Sequence, residues 1–366
     1  MTAGNNPLQP RRPAKGRMPF VLGSILLLLA GMWAGLLRIG WAWPPLQPTL
    51  VMEHGPLMVS GFLGALIGLE RAVGLERRWG YASPALTALG GLLLMFGVGG
   101  WIGPALITAG SLLLAIILIQ LMRIHLALYS VTIFLGALVW FGGNVLWLAG
   151  WSVPQIVIWW MGFLVLTIAG ERLELSRMLR LSQTARGLFL GTIVLFIAGM
   201  LVSAVNYDAG MRLAGAGMLG VALWLLKYDI ARRRIKAGGQ VAFMGYSLTS
   251  GYVWLGIGGV LALIYGGVMA GPHYDAILHS VFLGFTFTMI FAHALIIFPA
   301  VLHVRMVYSP WLYSHLILLH ISLIMRVGGD ILGLWTLRKW GGLLNAVALL
   351  LFLVNTVASV RLDRET

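Results

Sequence analysis

Three histidines within one strongly apolar stretch are the residues of this chain best suited to chemistry. His279, His293 and His303 all belong to the 25-residue run HSVFLGFTFTMIFAHALIIFPAVLH. On a helix, the 14 residues between His279 and His293 separate them by about 21 Å along the axis and by only about 40° around it. Histidine is costly in an apolar segment unless it pairs or binds something, so His279 and His293 are candidate ligands. His303 lies beside cytoplasmic arginines, and we expect it to be solvated.

The composition indicates the environment of these histidines. The chain is 60% hydrophobic and 10% charged and contains 48 glycines, which is typical of an integral membrane protein. It has no cysteine, which excludes disulfides, thiolate metal sites and covalent haem attachment. Any haem must therefore be non-covalent. The net charge of +14 does not indicate a nucleic-acid partner, because the basic residues cluster between apolar spans and the partner they predict is the lipid bilayer.

Windows of about 20 apolar residues predict an all-α polytopic membrane fold with twelve helices and short loops. We expect a cytoplasmic tail at 1–18, one membrane domain at 19–360 and a second cytoplasmic tail at 361–366. The predicted spans are 19–41, 53–75, 81–99, 101–122, 126–149, 153–175, 187–206, 210–228, 243–270, 275–301, 310–328 and 338–360.

The distribution of basic residues predicts the orientation. With the N-terminus in the cytoplasm, all but five of the 25 lysines and arginines lie on the cytoplasmic side. The exceptions are Arg38, Arg212, Arg326, Arg338 and Lys339. We therefore expect both termini in the cytoplasm of a bacterium, with the protein in the inner membrane.

A short motif recurs at four-span intervals. GFLGALIGLER begins at Gly61 in span two, GFLVLTIAGER at Gly162 in span six and GFTFTMIFAHA at Gly284 in span ten. The motif therefore predicts three four-helix pseudo-repeats, at about 19–122, 126–228 and 243–360. The repeat places His293 where the other two units have Glu70 and Glu171.

This architecture resembles that of the catalytic subunit of haem–copper oxidases, whose second and tenth helices ligate the low-spin haem. Spans two and ten here each carry a histidine near the predicted periplasmic end, His54 and His279. In the repeat alignment they differ by two positions, about 3 Å in depth and about 200° in direction, which permits them to clamp one haem. Spans six and seven have no histidine, which argues against a working terminal oxidase.

The two histidine segments, His54-x3-Met58-x2-Gly61-Phe62 and His279-x4-Gly284-x3-Thr288-Met289-Ile290, resemble the signature segments of the NnrS family. Members of that family are twelve-span bacterial membrane proteins that contain haem and copper. The chain departs from the family in having Gly-Pro-Leu directly after His54 and FAHALIIFPAVLH in span ten.

The resemblance implies a non-covalent haem between His54 and His279, and copper as a second metal. It also implies redox or gas-ligand chemistry with nitric oxide or oxygen, as in denitrification or protection from nitrosative stress, with a gas or a redox protein as partner. Gly61 and Gly284, one to two turns from the histidines, would let the macrocycle approach the backbone. In the simpler interpretation, His54 is an interfacial histidine and His279 hydrogen-bonds a neighbouring carbonyl. Whether the protein is an enzyme stays open.

A second group of polar residues lies near the predicted cytoplasmic side. Glu70, Glu171 and His293 occupy equivalent positions in the three repeats, and His320 in span eleven has a similar depth. Carboxylates with imidazole suit a copper, iron or zinc site, and they equally suit a proton relay. A proton- or ion-coupled transporter that uses Glu70, Glu171 and His293 is therefore the alternative function. The simpler interpretation is ion pairing of the glutamates with arginines at the helix ends.

The remaining charges near the periplasmic side predict a local pair. Asp275 and Asp330 lie at span ends, and Arg326 precedes Asp330 by four residues. Because residues four apart are neighbours on a helix surface, we expect Arg326 to pair with Asp330.

Overall fold

A computed structural model describes residues 14–176 and 179–361, and it shows an all-α polytopic membrane fold. Most of the two predicted tails, 1–18 and 361–366, lies outside the described residues. Eleven helical segments of the described chain are long and apolar enough to cross a bilayer. The third predicted span is a helix of 14 residues, Ala82–Met95, which is shorter than the rest.

The helix bounds follow the hydropathy pattern closely. The regular helices are α1 Met18–Arg38, α2 Ala65–Leu75, α3 Ala82–Met95, α4 Ile102–Ile124, α5 Leu128–Leu148, α6 Val153–Ser176, α7 Gln183–Ser203, α8 Tyr207–Tyr228, α9 Ala231–Arg234, α10 Gly239–Tyr265, α11 Gly271–His279, α12 Thr288–Leu302, α13 Leu312–Leu332 and α14 Trp335–Ser359. Two-residue strands, β1 Arg305–Met306 and β2 Val360–Arg361, pair antiparallel beside the ends of α12 and α14.

Two of the membrane-length helices contain π-helical turns. Pro56–Gly64 is π-helical and runs directly into α2, and Ser280–Phe287 is π-helical and joins α11 to α12. We call these continuous segments composite helix 2 (Pro56–Leu75) and composite helix 10 (Gly271–Leu302). His54 lies just before the first π-helix and His279 directly before the second. π-Helical turns are rare and occur often at functional sites, because they displace side chains from the regular α-helical register.

Composite helix 2, α6 and composite helix 10 form the centre of the bundle. In its most apolar window, α6 is 78% buried and the two composite helices are each 67% buried, against at most 56% for the other long helices. Phe62 and Phe287 stack between the two composite helices, with ring centres 5.9 Å apart. These three central helices are the ones that carry the repeated motif, while the repeat as a whole stays a prediction.

Candidate functional site

A cavity of about 560 Å³ opens at the end of the bundle that carries His54, which we call the His54 end. It lies between α1, α6, the two composite helices, α13 and α14, and Trp147 of α5 also lines it. The wall is largely apolar and includes Met32, Leu36, Met58, Leu63, Phe282 and Phe287. Cofactor and small-molecule sites typically enclose about 300–1,000 Å³ with mostly apolar walls, and this cavity falls within that range.

His54 and His279 lie together in the wall of this cavity. Their ring centres are 6.1 Å apart and their planes are inclined by only 19°. These residues are 225 positions apart in the sequence. They lie together because the start of composite helix 2 and the junction of α11 with the second π-helical segment line the same cavity. The prediction that these two histidines come together is confirmed by their positions.

Both imidazoles are held by the same ring nitrogen. His54 Nδ1 lies 2.7 Å from the carbonyl oxygen of Gly31 in α1, and His279 Nδ1 lies 2.9 Å from that of Asp275. A carbonyl oxygen only accepts, so each Nδ1 carries the hydrogen and each neutral ring keeps a lone pair on Nε2. Among the described residues, neither Nε2 has a hydrogen-bond partner.

Small residues of α1 make room for the His54 ring. A Cβ atom added at Gly35 would lie 2.7 Å from His54 Cε1, closer than real Cβ contacts allow. A Cβ at Gly31 would similarly lie 2.8 Å from Met58 Sδ, in the cavity wall. The position of the His54 ring therefore requires glycine at Gly35, whereas a Cβ at Gly31 would displace only the flexible Met58 side chain.

Gly61 and Gly284, which we expected to give a macrocycle access to the backbone, face neighbouring helices. Gly61 packs against Leu27 of α1, and Gly284 packs against the ring of Trp254 in α10. Neither lines the cavity. Their role in the structure is close helix packing, and the glycines that line the cavity are Gly35, Gly55, Gly271 and Gly342.

One wall of the cavity is charged. Asp275 accepts two hydrogen bonds from Arg326, at 2.7 and 2.9 Å, and lies 3.6 Å from Arg338. Arg338 in turn forms an ion pair with Asp330, with Nε and Oδ1 2.6 Å apart. The expectation that Arg326 pairs with Asp330 is wrong, because the guanidinium reaches across to Asp275 in composite helix 10.

Two further charged residues line the mouth of the cavity. Arg38, the last residue of α1, is exposed there and makes no ion pair or hydrogen bond with the described residues. Glu53 lies in the 3₁₀ turn Leu50–Glu53 that precedes composite helix 2. Partial burial raises the pKa of its carboxyl to about 7, because the charged form loses hydration there.

The polar residues at the opposite end of the bundle are paired with arginines. Glu171 forms an ion pair with Arg71, and Glu70 lies 3.9 Å from the same guanidinium. His293 donates its Nδ1 hydrogen to the carbonyl of Met289 and has its Nε2 3.4 Å from Arg172. The helix-end ion pairs expected as the simpler interpretation are present.

His320, the fourth predicted metal ligand, lies apart from these residues. Its Nδ1 accepts from Trp254 Nε1 at 3.0 Å, and its Nε2 is 2.9 Å from the hydroxyl of Ser250. Within the described chain, no group of three histidine, aspartate or glutamate side chains is arranged to hold a metal ion. The second-metal prediction has no assembled set of ligands to support it and stays a prediction.

The partners of the histidines were the part of the site that the sequence analysis missed. Asp275 was noted only as a charge at a span end, although it lies four residues before His279 and therefore one helical turn away. This i,i+4 spacing is sufficient to predict that Asp275 and His279 are neighbours on the helix. The contact of Arg326 with Asp275 joins two helices and leaves no comparable signal in the sequence.

Comparison with known proteins places the chain in a family without assigning it a chemistry. No curated protein and no solved structure matches it. A family model described as "Domain of unknown function (DUF8744)" matches residues 17–361, which is nearly the whole chain. The match includes every membrane helix described above, from α1 to α14. The chain therefore belongs to the DUF8744 family.

Proposed function

We propose that this protein is an integral membrane haem protein that holds a non-covalent haem between His54 and His279. The observation that carries the proposal is the paired arrangement of the two rings. Two metal–nitrogen bonds of about 2 Å together with the radii of two imidazole rings span roughly 6 Å between ring centres. The observed separation is 6.1 Å.

The surroundings of the rings fit the same cofactor. Metal-bound histidines usually donate their second ring N–H to a carbonyl or carboxylate, which fixes the tautomer and the ring orientation. Gly31 and Asp275 fulfil that role for His54 and His279. The apolar wall suits the flat faces of a macrocycle, and Arg38 at the mouth offers a cation without a described partner to the carboxylates that haem carries at one edge.

Electron transfer is the function that two histidine ligands favour. Bound haem supplies a one-electron iron couple whose potential depends on its axial ligands. His54 and His279 would hold the haem, the helices around them would exclude water, and the Asp275 and Gly31 oxygens would keep both rings in place. Because both histidines would be engaged in holding the haem, gas-ligand chemistry with nitric oxide or oxygen and protection from nitrosative stress are secondary parts of this proposal.

The resemblance of the two histidine segments to the NnrS family supports the haem and suggests copper as well. The residues near His293 do not suit copper, because guanidinium groups of Arg71 and Arg172 lie where a second cation would have to bind. We assign no chemistry to copper. The same arginine contacts give no specific support to ion-coupled transport through Glu70, Glu171 and His293.

The haem proposal is tested by expressing the protein with adequate haem supply, purifying it in detergent and recording its visible spectrum before and after dithionite. We expect a Soret band and sharp reduced bands of a six-coordinate low-spin haem. His54→Ala and His279→Ala should each lose the haem or convert it to a five-coordinate form. His125→Ala is the matched control, because His125 is exposed and lies outside the cavity. Absence of the band, or a band unchanged in both cavity variants, would overturn the proposal.

We further propose that the protein resides in the bacterial inner membrane with both termini in the cytoplasm. The support is the asymmetry of basic residues between the two sides of the spans. In this orientation the cavity opens toward the periplasm, where a redox protein could exchange electrons with the haem.

A further inference from the structure

The two histidines of the cavity are held differently. His54 has one oxygen on its Nδ1, the carbonyl of Gly31. His279 donates its Nδ1 hydrogen to the backbone carbonyl of Asp275 at 2.9 Å. One oxygen of the Asp275 carboxylate lies 3.3 Å from the same Nδ1 without a hydrogen bond between them. The position of the His279 ring therefore does not depend on the carboxylate alone, and the carboxylate adds a negative charge that the His54 ring lacks.

The carboxylate is fixed rather than free to rotate away. Arg326 of α13 donates to both of its oxygens, and Arg338 of α14 lies within 3.6 Å. The side chains of Asp275 and Arg326 are only 14% and 11% exposed. Bidentate arginine–carboxylate pairs have a defined geometry, and α13 and α14 thus hold the acid against the ring from outside composite helix 10.

We propose that Asp275 is a positioning residue for His279 that strengthens electron donation by its Nε2 and thereby lowers the potential of the bound iron. The inference rests on the proposed haem between His54 and His279. The negative charge of a carboxylate 3.3 Å from the distal ring nitrogen favours positive charge on the imidazole, which makes its Nε2 a better donor to the iron. A stronger donor stabilises the oxidised iron more than the reduced iron, so reduction becomes harder.

The two iron ligands are consequently unequal. His279, backed by Asp275, is the strong ligand, and His54, backed by a peptide carbonyl, is the weaker one. Because Arg326 of α13 and Arg338 of α14 hold Asp275 in place, these two helices contribute to the potential of the bound iron although neither supplies a ligand.

The test is the midpoint potential of the haem in Asp275→Asn, measured by spectroelectrochemical titration of the purified protein. The substitution removes the carboxylate but keeps the backbone carbonyl that holds the His279 ring. We expect a retained low-spin spectrum with a midpoint potential above that of the unaltered protein. Asp275→Glu, which restores a carboxylate, should return the potential toward the original value.

Glu53→Gln is the matched control, because it removes another carboxyl group from the wall of the same cavity without a described contact to either histidine. Both substitutions replace a carboxyl group in the cavity wall by a neutral amide of similar size. An unchanged potential in Asp275→Asn, or an equal rise in Glu53→Gln, would overturn the role of Asp275. A complete absence of haem from the unaltered protein would instead refute the proposed function.

If Asp275→Asn fails to fold because Arg326 loses its partner, the double variant Asp275→Asn with Arg326→Gln removes both charges and keeps the neutral pair. It should show the same rise in potential. A potential equal to that of the unaltered protein in this variant would contradict the proposal.

Discussion

At the scale of single residues, the position of His54 depends on the absence of a side chain in α1. A methyl group at Gly35 would meet the His54 ring at 2.7 Å. We expect Gly35→Ala to cost about 1–3 kcal/mol of stability through overpacking, and to displace the ring from the cavity. The measurement is a titration with a denaturing detergent in which the loss of helix is monitored by circular dichroism.

Gly191→Ala in α7 is the control for the Gly35 substitution. Gly191 has nothing within 4 Å of its added Cβ, and it lies in a helix of the same length. Alanine is the better helix former by up to about 1 kcal/mol, so this variant should be as stable as the unaltered protein or slightly more stable. If Gly35→Ala is as stable as Gly191→Ala, the structure accommodates a Cβ at residue 35 beside the His54 ring, and the prediction is wrong.

Residue types and spacing predicted the meeting of His54 and His279 but not what holds them. The repeat alignment placed both histidines near the same end of equivalent helices, and this was sufficient to predict that they lie close together. Gly61 and Gly284 were assigned to the cavity because depth along a helix can be counted from the sequence. Their actual direction, toward Leu27 and Trp254, depends on how the helices are rotated and on the π-helical turns between them and the histidines.

At the scale of helices, a fully buried two-point ion pair joins α6 to the end of α8. Arg172 and Asp229 form a two-point pair at 2.8 and 2.9 Å, with side chains only 3% and 1% exposed. Asp229 also accepts from the backbone N–H of Ala231, at the start of α9. The pair thus fixes one end of the central helix α6.

Removal of one partner from this clamp leaves a buried unpaired charge. We expect Asp229→Ala to lower the free energy of unfolding by about 3–5 kcal/mol. The control is Asp208→Ala, which breaks the exposed pair of Asp208 with Arg212 in α8 and should change stability very little. Comparable losses for the two variants, in the same detergent unfolding assay, would contradict a structural role for the buried pair.

The helices themselves were largely predictable, whereas their irregularities were not. Apolar runs of membrane length gave the segments to within a few residues, because a bilayer imposes both length and hydrophobicity. The prediction overestimated α3, whose helix ends at Met95 where a Gly-rich turn begins. The π-helical turns escaped prediction because hydropathy is the same whether a segment is α-helical or π-helical. In the first π-helical segment, Pro56, Gly61 and Gly64 are residues that disfavour a regular α-helix and so point to an irregularity.

At the scale of the whole molecule, the orientation in the membrane can be tested directly, because the chain has no cysteine. Met52→Cys places a thiol at the exposed His54 end, and Lys236→Cys places one at the exposed opposite end. With intact cells, a membrane-impermeant maleimide should label Met52→Cys only. Lys236→Cys should be labelled only after the inner membrane is permeabilised, and the reverse pattern would show that the proposed orientation is inverted.

The central claim concerns the whole assembly, since the two ligands, the residues that hold them and the cavity wall come from seven helices. The most direct measurement is the electron paramagnetic resonance spectrum of the oxidised, haem-loaded protein. The arrangement of His54 and His279 predicts a low-spin ferric signal from two nitrogen ligands, with that signal lost in His54→Ala and in His279→Ala. A high-spin signal in the unaltered protein, or a low-spin signal that persists in both variants, would contradict a haem held between these two histidines.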